Sequence, residues 1–139
     1  MSAKSFRLMK KIAKSRGLEH ITRHAFLCAD QTLAKCCQYE DGIDSWNYLK
    51  KRISSNDKPS NINILRSKVD CLRICREGPI LAIYPGPTAP KNEEIVYYHS
   101  ATKENIEEII TKHLFNGQIV EKYRIKESSS IDEEDEESS

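Results

Sequence analysis

Two thiols three residues apart, in Cys71-Leu-Arg-Ile-Cys75, run directly into Arg76-Glu77-Gly78-Pro79 and then an apolar strand. A loop of that shape can hold a metal, because both sulfurs leave one short turn and a thiolate is a soft ligand. Two thiols do not complete a tetrahedral site, so the remaining ligands must come from elsewhere in the chain. Cys28, Cys36 and Cys37 are the other candidates, making five cysteines in all. An odd count without an export signal disfavours a disulfide framework and favours metal binding or thiol chemistry. Structural zinc sites pair their ligands as C-x2-C to C-x4-C at both ends, whereas seven or eight residues separate Cys28 from Cys36 or Cys37. Zinc stays open but is not the natural reading.

Other chemistry is poorly supported. His20, His24, His99 and His113 are dispersed, and His113 falls on an apolar helical face, so core or surface roles suit them better than ligation. No P-loop, Rossmann glycine pattern, nucleophile elbow or catalytic carboxylate pair is present, and no enzymatic turnover is expected. Tyr84, Tyr97 and Tyr98 alternate with aliphatic residues in strands, which suits packing better than stacking on bases. The 22 basic and 21 acidic side chains give a net charge of +1, so no nucleic-acid partner is expected. No apolar run approaches the roughly 20 residues a membrane helix needs, and no membrane partner is expected either. A soluble, cytoplasmic protein is the resulting expectation.

The elements that must position the thiols can be read in order. Residues 1–20 carry Lys4, Arg7, Lys10, Lys11, Lys14 and Arg16 against a single Glu19. The apolar residues among them look too scattered for a strong helical stripe, so this is a flexible basic extension, or else a docking arm for an acidic partner. Ala25-Phe26-Leu27-Cys28 ends a buried strand that starts near Ile21. Ala29 to Gly42 reads as a loop, and a loop of that length must recover its ordering entropy through something it binds. Asp44 resembles an N-cap, with Trp46, Leu49 and Ile53 on one face of a helix over about 45–53. A strand over 61–70 leads into Cys71.

Ile80-Leu81-Ala82-Ile83-Tyr84 is apolar throughout and belongs in the middle of a sheet. Ile95 to Tyr98 returns beside it as a hairpin strand. Thr102 caps a helix whose apolar face is Ile106, Ile109, Ile110, His113 and Leu114, stopped by Gly117. Gln118 to Ile125 is a tail strand or extended segment. The whole is a small α/β domain over 21–126, a mixed sheet covered by helices. Residues 127–139 hold a run of acids and a single apolar residue, Ile131, and are expected to be disordered. This tail either solubilises the chain, selects a partner or associates with the basic N-terminus.

Taken together, Cys28-x8-Cys37, Val69-Asp70-Cys71-x3-Cys75-x2-Gly78-Pro79-Ile80, Tyr84-Pro85 and Tyr98-His99 resemble the thioredoxin-like 2Fe-2S ferredoxins. These are related to the small 2Fe-2S subunit of NADH dehydrogenase. The likeness covers about 22–124, and the helix ending His113-Leu114-Phe115-Asn116-Gly117 also looks like the family. It implies a thioredoxin-like fold, one 2Fe-2S cluster, and a one-electron carrier exchanging electrons with a larger redox protein. It also implies a homodimer, and as ligands Cys28, Cys37, Cys71 and Cys75. One departure lies in the first loop, where Cys36 and Cys37 are adjacent and Gly42 lies farther on than in the family. Counting back from Leu49 favours Cys37, with Cys36 as the alternative ligand.

Four thiolates suit two ferric ions bridged by sulfide. Lys35, Lys68, Arg73 and Arg76 flank them, either as ordinary surface charges or as groups that favour the reduced cluster. Two other classes remain. One is a redox-sensing or structural module stabilised by the cluster or by zinc. The other is a thiol-disulfide oxidoreductase, for which the C-x2-C signature is missing.

Overall fold

The computed structural model describes residues 2–29, 39–55, 58–59, 61–69 and 77–127. Four strands form one sheet: β1 (Arg23–Cys28), β2 (Ile64–Val69), β3 (Leu81–Pro85) and β4 (Val96–Tyr98). Their order is β2-β1-β3-β4. β1 runs parallel to β2, with Cys28 opposite Val69, and antiparallel to β3, with Leu27 opposite Leu81. β3 and β4 form the expected antiparallel hairpin. The mixed α/β architecture thus follows the sequence reading, and the continuous apolar strand is central. Ile80 to Ile83 are fully buried.

Side chains alternate across a strand, so Ala25 and Leu27 face one way with Leu81 and Ile83, while His24, Phe26 and Cys28 face the other. The first face is the main core. Leu49 and Ile53 of α2 (Tyr39–Ser54) and Ile106, Ile109, Ile110 and Leu114 of α3 (Lys103–Ile109) and its following turn close over it. The two helices are tied to each other by Arg52 Nε, 2.6 Å from Glu107 Oε1, and the start of α3 is tied to α2 by Ser45 Oγ, which donates to the Ala101 carbonyl at 2.7 Å. Among the described residues the second sheet face carries an aromatic row instead of a helix. His24 stacks on Phe26 at 3.9 Å, Phe26 meets Tyr84 edge-on at 5.3 Å, and the Tyr84 and Tyr97 hydroxyls lie 2.8 Å apart.

Two expectations are corrected. Residues 3–15 are a helix, α1 (Ala3–Ser15), not a flexible extension; Ser2 caps it by accepting the Ser5 N–H at 3.1 Å. The linear order of its residues hides the segregation that a helical turn produces. The second helix begins at Tyr39, well before Asp44. Glu40 and Asp41 in its first turn suit the positive end of the helix dipole, so Asp44 is an interior residue and 39–42 are helical where a loop was expected. Of the two forms expected after Gly117, the structure has the extended segment. A tight turn at Glu121–Tyr123 leads to a single bridge between Arg124 and Tyr98, and Ile125 N–H donates to Tyr97 O at 2.8 Å. Thr102 does cap α3, accepting from Asn105 N–H at 3.3 Å. Gly117, at φ +75°, ends the turn that follows, where a Cβ would lie 2.5 Å from Arg23 Nη2. Among the described residues no helix is long and apolar enough to cross a membrane.

His113 has the core role expected of it. It is fully buried, with Nδ1 2.6 Å from the Tyr98 hydroxyl, which in turn accepts the Val120 N–H at 3.0 Å. Nε2 is buried without a hydrogen-bond partner, and the imidazole is neutral. Burial pushes its pKa from 6.5 down to about 4; Glu93 opposes that shift and Arg23 and Arg124 reinforce it. An unfolded chain therefore takes up a proton near pH 6.5 that the folded chain refuses until about pH 4. Stability rests intact above that window and falls as the pH drops through it, by up to about 3 kcal/mol. Urea midpoints between pH 4 and 7 are expected to fall with acidification in the native chain. In His113→Gln, whose amide keeps an acceptor for Tyr98 but does not titrate, that part of the slope should vanish. An unchanged slope would assign the acid sensitivity elsewhere.

Candidate metal centre

The apolar run Ala25 to Cys28 makes a strand that pairs on both sides, and its last residue is the thiol. Cys28 is 1 % exposed. Its N–H donates to Ile80 O at 3.1 Å, and Ile80 N–H donates back to Cys28 Sγ at 3.0 Å. The sulfur is thus held by a backbone amide of the neighbouring strand. An amide donor aimed at sulfur favours a negatively charged thiolate, and hydrogen bonds to sulfur are a recognised control of iron–sulfur potentials. Cys28 and Ile80 form a small buried cluster, against which Val69, Tyr97 and Ile125 pack. Such a shell limits solvent access and lowers the local dielectric.

One residue farther on, Ala29 N–H donates to Val69 O at 3.1 Å. This bond joins the last described residue before 30–38 to the last one before 70–76. The two cysteine-bearing segments therefore leave the sheet side by side, as the parallel pairing of β1 and β2 requires. Segment 30–38 returns into α2, whose first turns pack directly on the strand end. A Cβ on Gly42 would come within 3.2 Å of Ala29 Cα and 3.5 Å of Cys28 O, so any larger residue would push helix and strand apart by a few tenths of an ångström. Segment 70–76 returns through Glu77, Gly78 and Pro79. Its exit is pinned where Ser100 N–H donates to Glu77 O at 2.6 Å and Ala101 N–H to Pro79 O at 2.9 Å, directly before α3.

Cys36, Cys37, Cys71 and Cys75, like Lys35, Arg73 and Arg76, lie outside the described residues. Lys68 is described, and its ammonium sits 5.9 Å from the Trp46 ring centroid, a surface cation–π contact. Among the described residues no three metal-ligating side chains converge. The histidines go elsewhere: His24 Nε2 is 2.8 Å from Ser67 Oγ, His99 Nδ1 is 2.9 Å from Ser100 Oγ, and His113 is in the core. Two contributors escaped the sequence reading. The Ile80 amide carries no residue-type signal at all, whereas Gly42, three residues past Tyr39 in an acid-rich turn, gave a signal that was read as loop.

No family model matches the chain. A 2Fe-2S ferredoxin from Clostridium pasteurianum is 26% identical over 106 residues, covering 73% of this chain and 94% of the relative. Among solved structures, the wild-type thioredoxin-like 2Fe-2S ferredoxin from Aquifex aeolicus superposes with a TM-score of 0.59 at 20% identity, over 77% of this chain and 99% of that one. A second structure of a ferredoxin of that type from the same organism gives 0.60 at 20% identity, over 78% and 94%. With its sheet order, its paired loop origins and these likenesses together, the chain has the fold of the thioredoxin-like 2Fe-2S ferredoxins, the family its cysteine spacing resembles.

Proposed function

We propose that the chain is a one-electron carrier holding a single 2Fe-2S cluster through Cys28, Cys37, Cys71 and Cys75, with Cys36 as the alternative to Cys37. The observation that carries this reading is the Cys28 sulfur, buried at the sheet end from which both cysteine segments depart and met there by the Ile80 amide. The donor set fits: four thiolates are the soft ligands that iron–sulfur clusters take. When bound, the cluster supplies a reversible one-electron couple. The chain's own part is to hold and insulate. Ile80 N–H orients the Cys28 side chain and offsets its charge, and Val69, Tyr97 and Ile125 cover the small apolar cluster that Cys28 and Ile80 form. The first turns of α2 close the approach over Cys28 and Ala29.

On this reading the chain has no turnover of its own, works in the cytoplasm as a homodimer, and exchanges electrons with a larger redox protein, not with nucleic acid. Anaerobically prepared protein is expected to be brown, with about two irons and two sulfides per chain and a spin-half signal after dithionite. Reduction should be reversible without loss of iron. Colourless protein carrying one zinc would replace the carrier by a zinc-stabilised interaction module. Oxidation that ejects the metal and unfolds the chain would replace it by a redox sensor.

A further inference from the structure

α1 has no core role, since none of its residues is buried. Phe6, Leu8, Met9 and Ile12 are 45, 58, 47 and 49 % exposed, and Leu18 just beyond the helix is 42 % exposed. Singly exposed apolar residues need no explanation, but a contiguous exposed cluster does. At about 100° per residue, Leu8, Ile12, Met9, Ala13 and Phe6 occupy one arc of about 160°. Lys10, Lys14, Arg7, Lys11 and Lys4 occupy the opposite arc of about 120°. Within Ala3–Ser15 no cation intrudes on the apolar arc; Arg16, the C-cap residue, borders it beside Leu8, Met9, Ile12 and Leu18, and no acidic residue occurs between Ser2 and Leu18.

We propose that α1 is an interfacial helix that lays its apolar arc into an anionic lipid surface. The two arcs ask for two things at once, apolar material to cover one side and negative charge beside the other. The acidic stretch of this chain, 127–139, offers charge but only Ile131 as apolar material, so it cannot cover Phe6, Leu8, Met9 and Ile12. Anionic headgroups over acyl chains offer both, in the geometry a basic amphipathic helix takes at a membrane surface. The helix does not cross: 13 residues span about 20 Å, short of the roughly 30 Å hydrocarbon core, and the cations forbid it. A membrane partner of this kind leaves no long apolar run, which is why none was expected from the sequence.

The attachment also has a direction. Asn63 Nδ2 donates to Gly17 O at 3.1 Å, tying the end of α1 to the loop before β2. Asn63 lies beside Thr22, where Thr22 N–H donates to Asn63 O at 2.7 Å, at the start of β1. Cys28 is at the other end of that strand. On the carrier reading, which this clause alone requires, lipid binding holds the sheet by its far end and leaves the cysteine end toward a redox partner.

The test is co-sedimentation of the full chain with vesicles of phosphatidylcholine and phosphatidylserine, against vesicles of phosphatidylcholine alone. Binding is expected to the mixed vesicles, at least about tenfold weaker to the neutral ones, and reduced with added salt. Met9→Glu with Ile12→Glu should lower binding about tenfold or more, and Lys10→Gln with Lys14→Gln should also lower it. Both pairs should leave the unfolding midpoint unchanged because the side chains are exposed. The proposal is overturned if the mixed vesicles do not bind, or if the Met9→Glu, Ile12→Glu chain binds as well as the native one, which would leave charge attraction alone. It is equally overturned if α1 instead drives self-association, or docking into a protein groove, that the same pair abolishes. None of these readouts depends on the cluster.

Discussion

Cys28→Ala is expected to purify without visible absorbance and with almost no iron or sulfide, while remaining folded. The loss should be near complete because Cys28 is the ligand the fold itself prepositions. Its backbone is held on one side by β2 and on the other by Ile80, just before β3, its sulfur is held by Ile80 N–H at 3.0 Å, and it is 1 % exposed. Removing one small buried side chain costs the apoprotein only about 1–2 kcal/mol, so circular dichroism and an unfolding midpoint separate loss of ligand from loss of fold. The adjacent thiols give the complementary result. Cys36→Ser is expected to keep the cluster and Cys37→Ser to weaken it, because neighbouring side chains cannot easily both reach one iron. The reverse outcome would exchange the two as ligand without touching the carrier reading. A Cys28→Ala protein that keeps native iron, sulfide and colour would remove Cys28 from the ligand set and the proposed site with it.

The legibility of this chain follows how burial writes itself into sequence. Ile80 to Tyr84 could only be a central strand, since every position is apolar and Ile80 to Ile83 are fully buried. Thr102 and Gly117 bracketed the last helix because capping and positive φ are residue-specific demands. Parallel pairing of β1 and β2 is a long-range fact that no local pattern announces, and it is what brings Ala29 to Val69. α1 was missed for the opposite reason. Its segregation serves no core, so five cations interleaved among Phe6, Leu8, Met9 and Ile12 looked like a solvated arm in linear order. α2 was started late because Asp44 imitates a cap that Glu40 and Asp41 make unnecessary. Between Cys36 and Cys37 no periodicity operates, so residue type alone could not choose.

Far from the thiols, Glu93→Ala is expected to destabilise the fold by about 3–5 kcal/mol. Arg23 opens β1, and its guanidinium makes a two-pronged pair with Glu93, Nε to Oε2 at 2.8 Å and Nη2 to Oε1 at 2.7 Å. Nη1 donates to the Leu114 carbonyl at 3.0 Å, satisfying an acceptor at the end of the last helix. The two side chains are only 5 and 9 % exposed. A paired buried charge is roughly neutral for stability, whereas one stripped of its partner carries its whole desolvation cost. Glu93→Ala leaves the Arg23 guanidinium in that position. Glu93→Gln, which keeps one acceptor, should cost less, and Arg23→Met with Glu93→Leu should recover most of the native stability because neither charge remains. Urea midpoints of the three chains test the idea. A double variant as unstable as Glu93→Ala would mean that the pair's geometry, and not the orphaned charge, holds this end of the sheet. In every folded fraction the cluster spectrum should be native, since Arg23 and Cys28 stand at opposite ends of one strand.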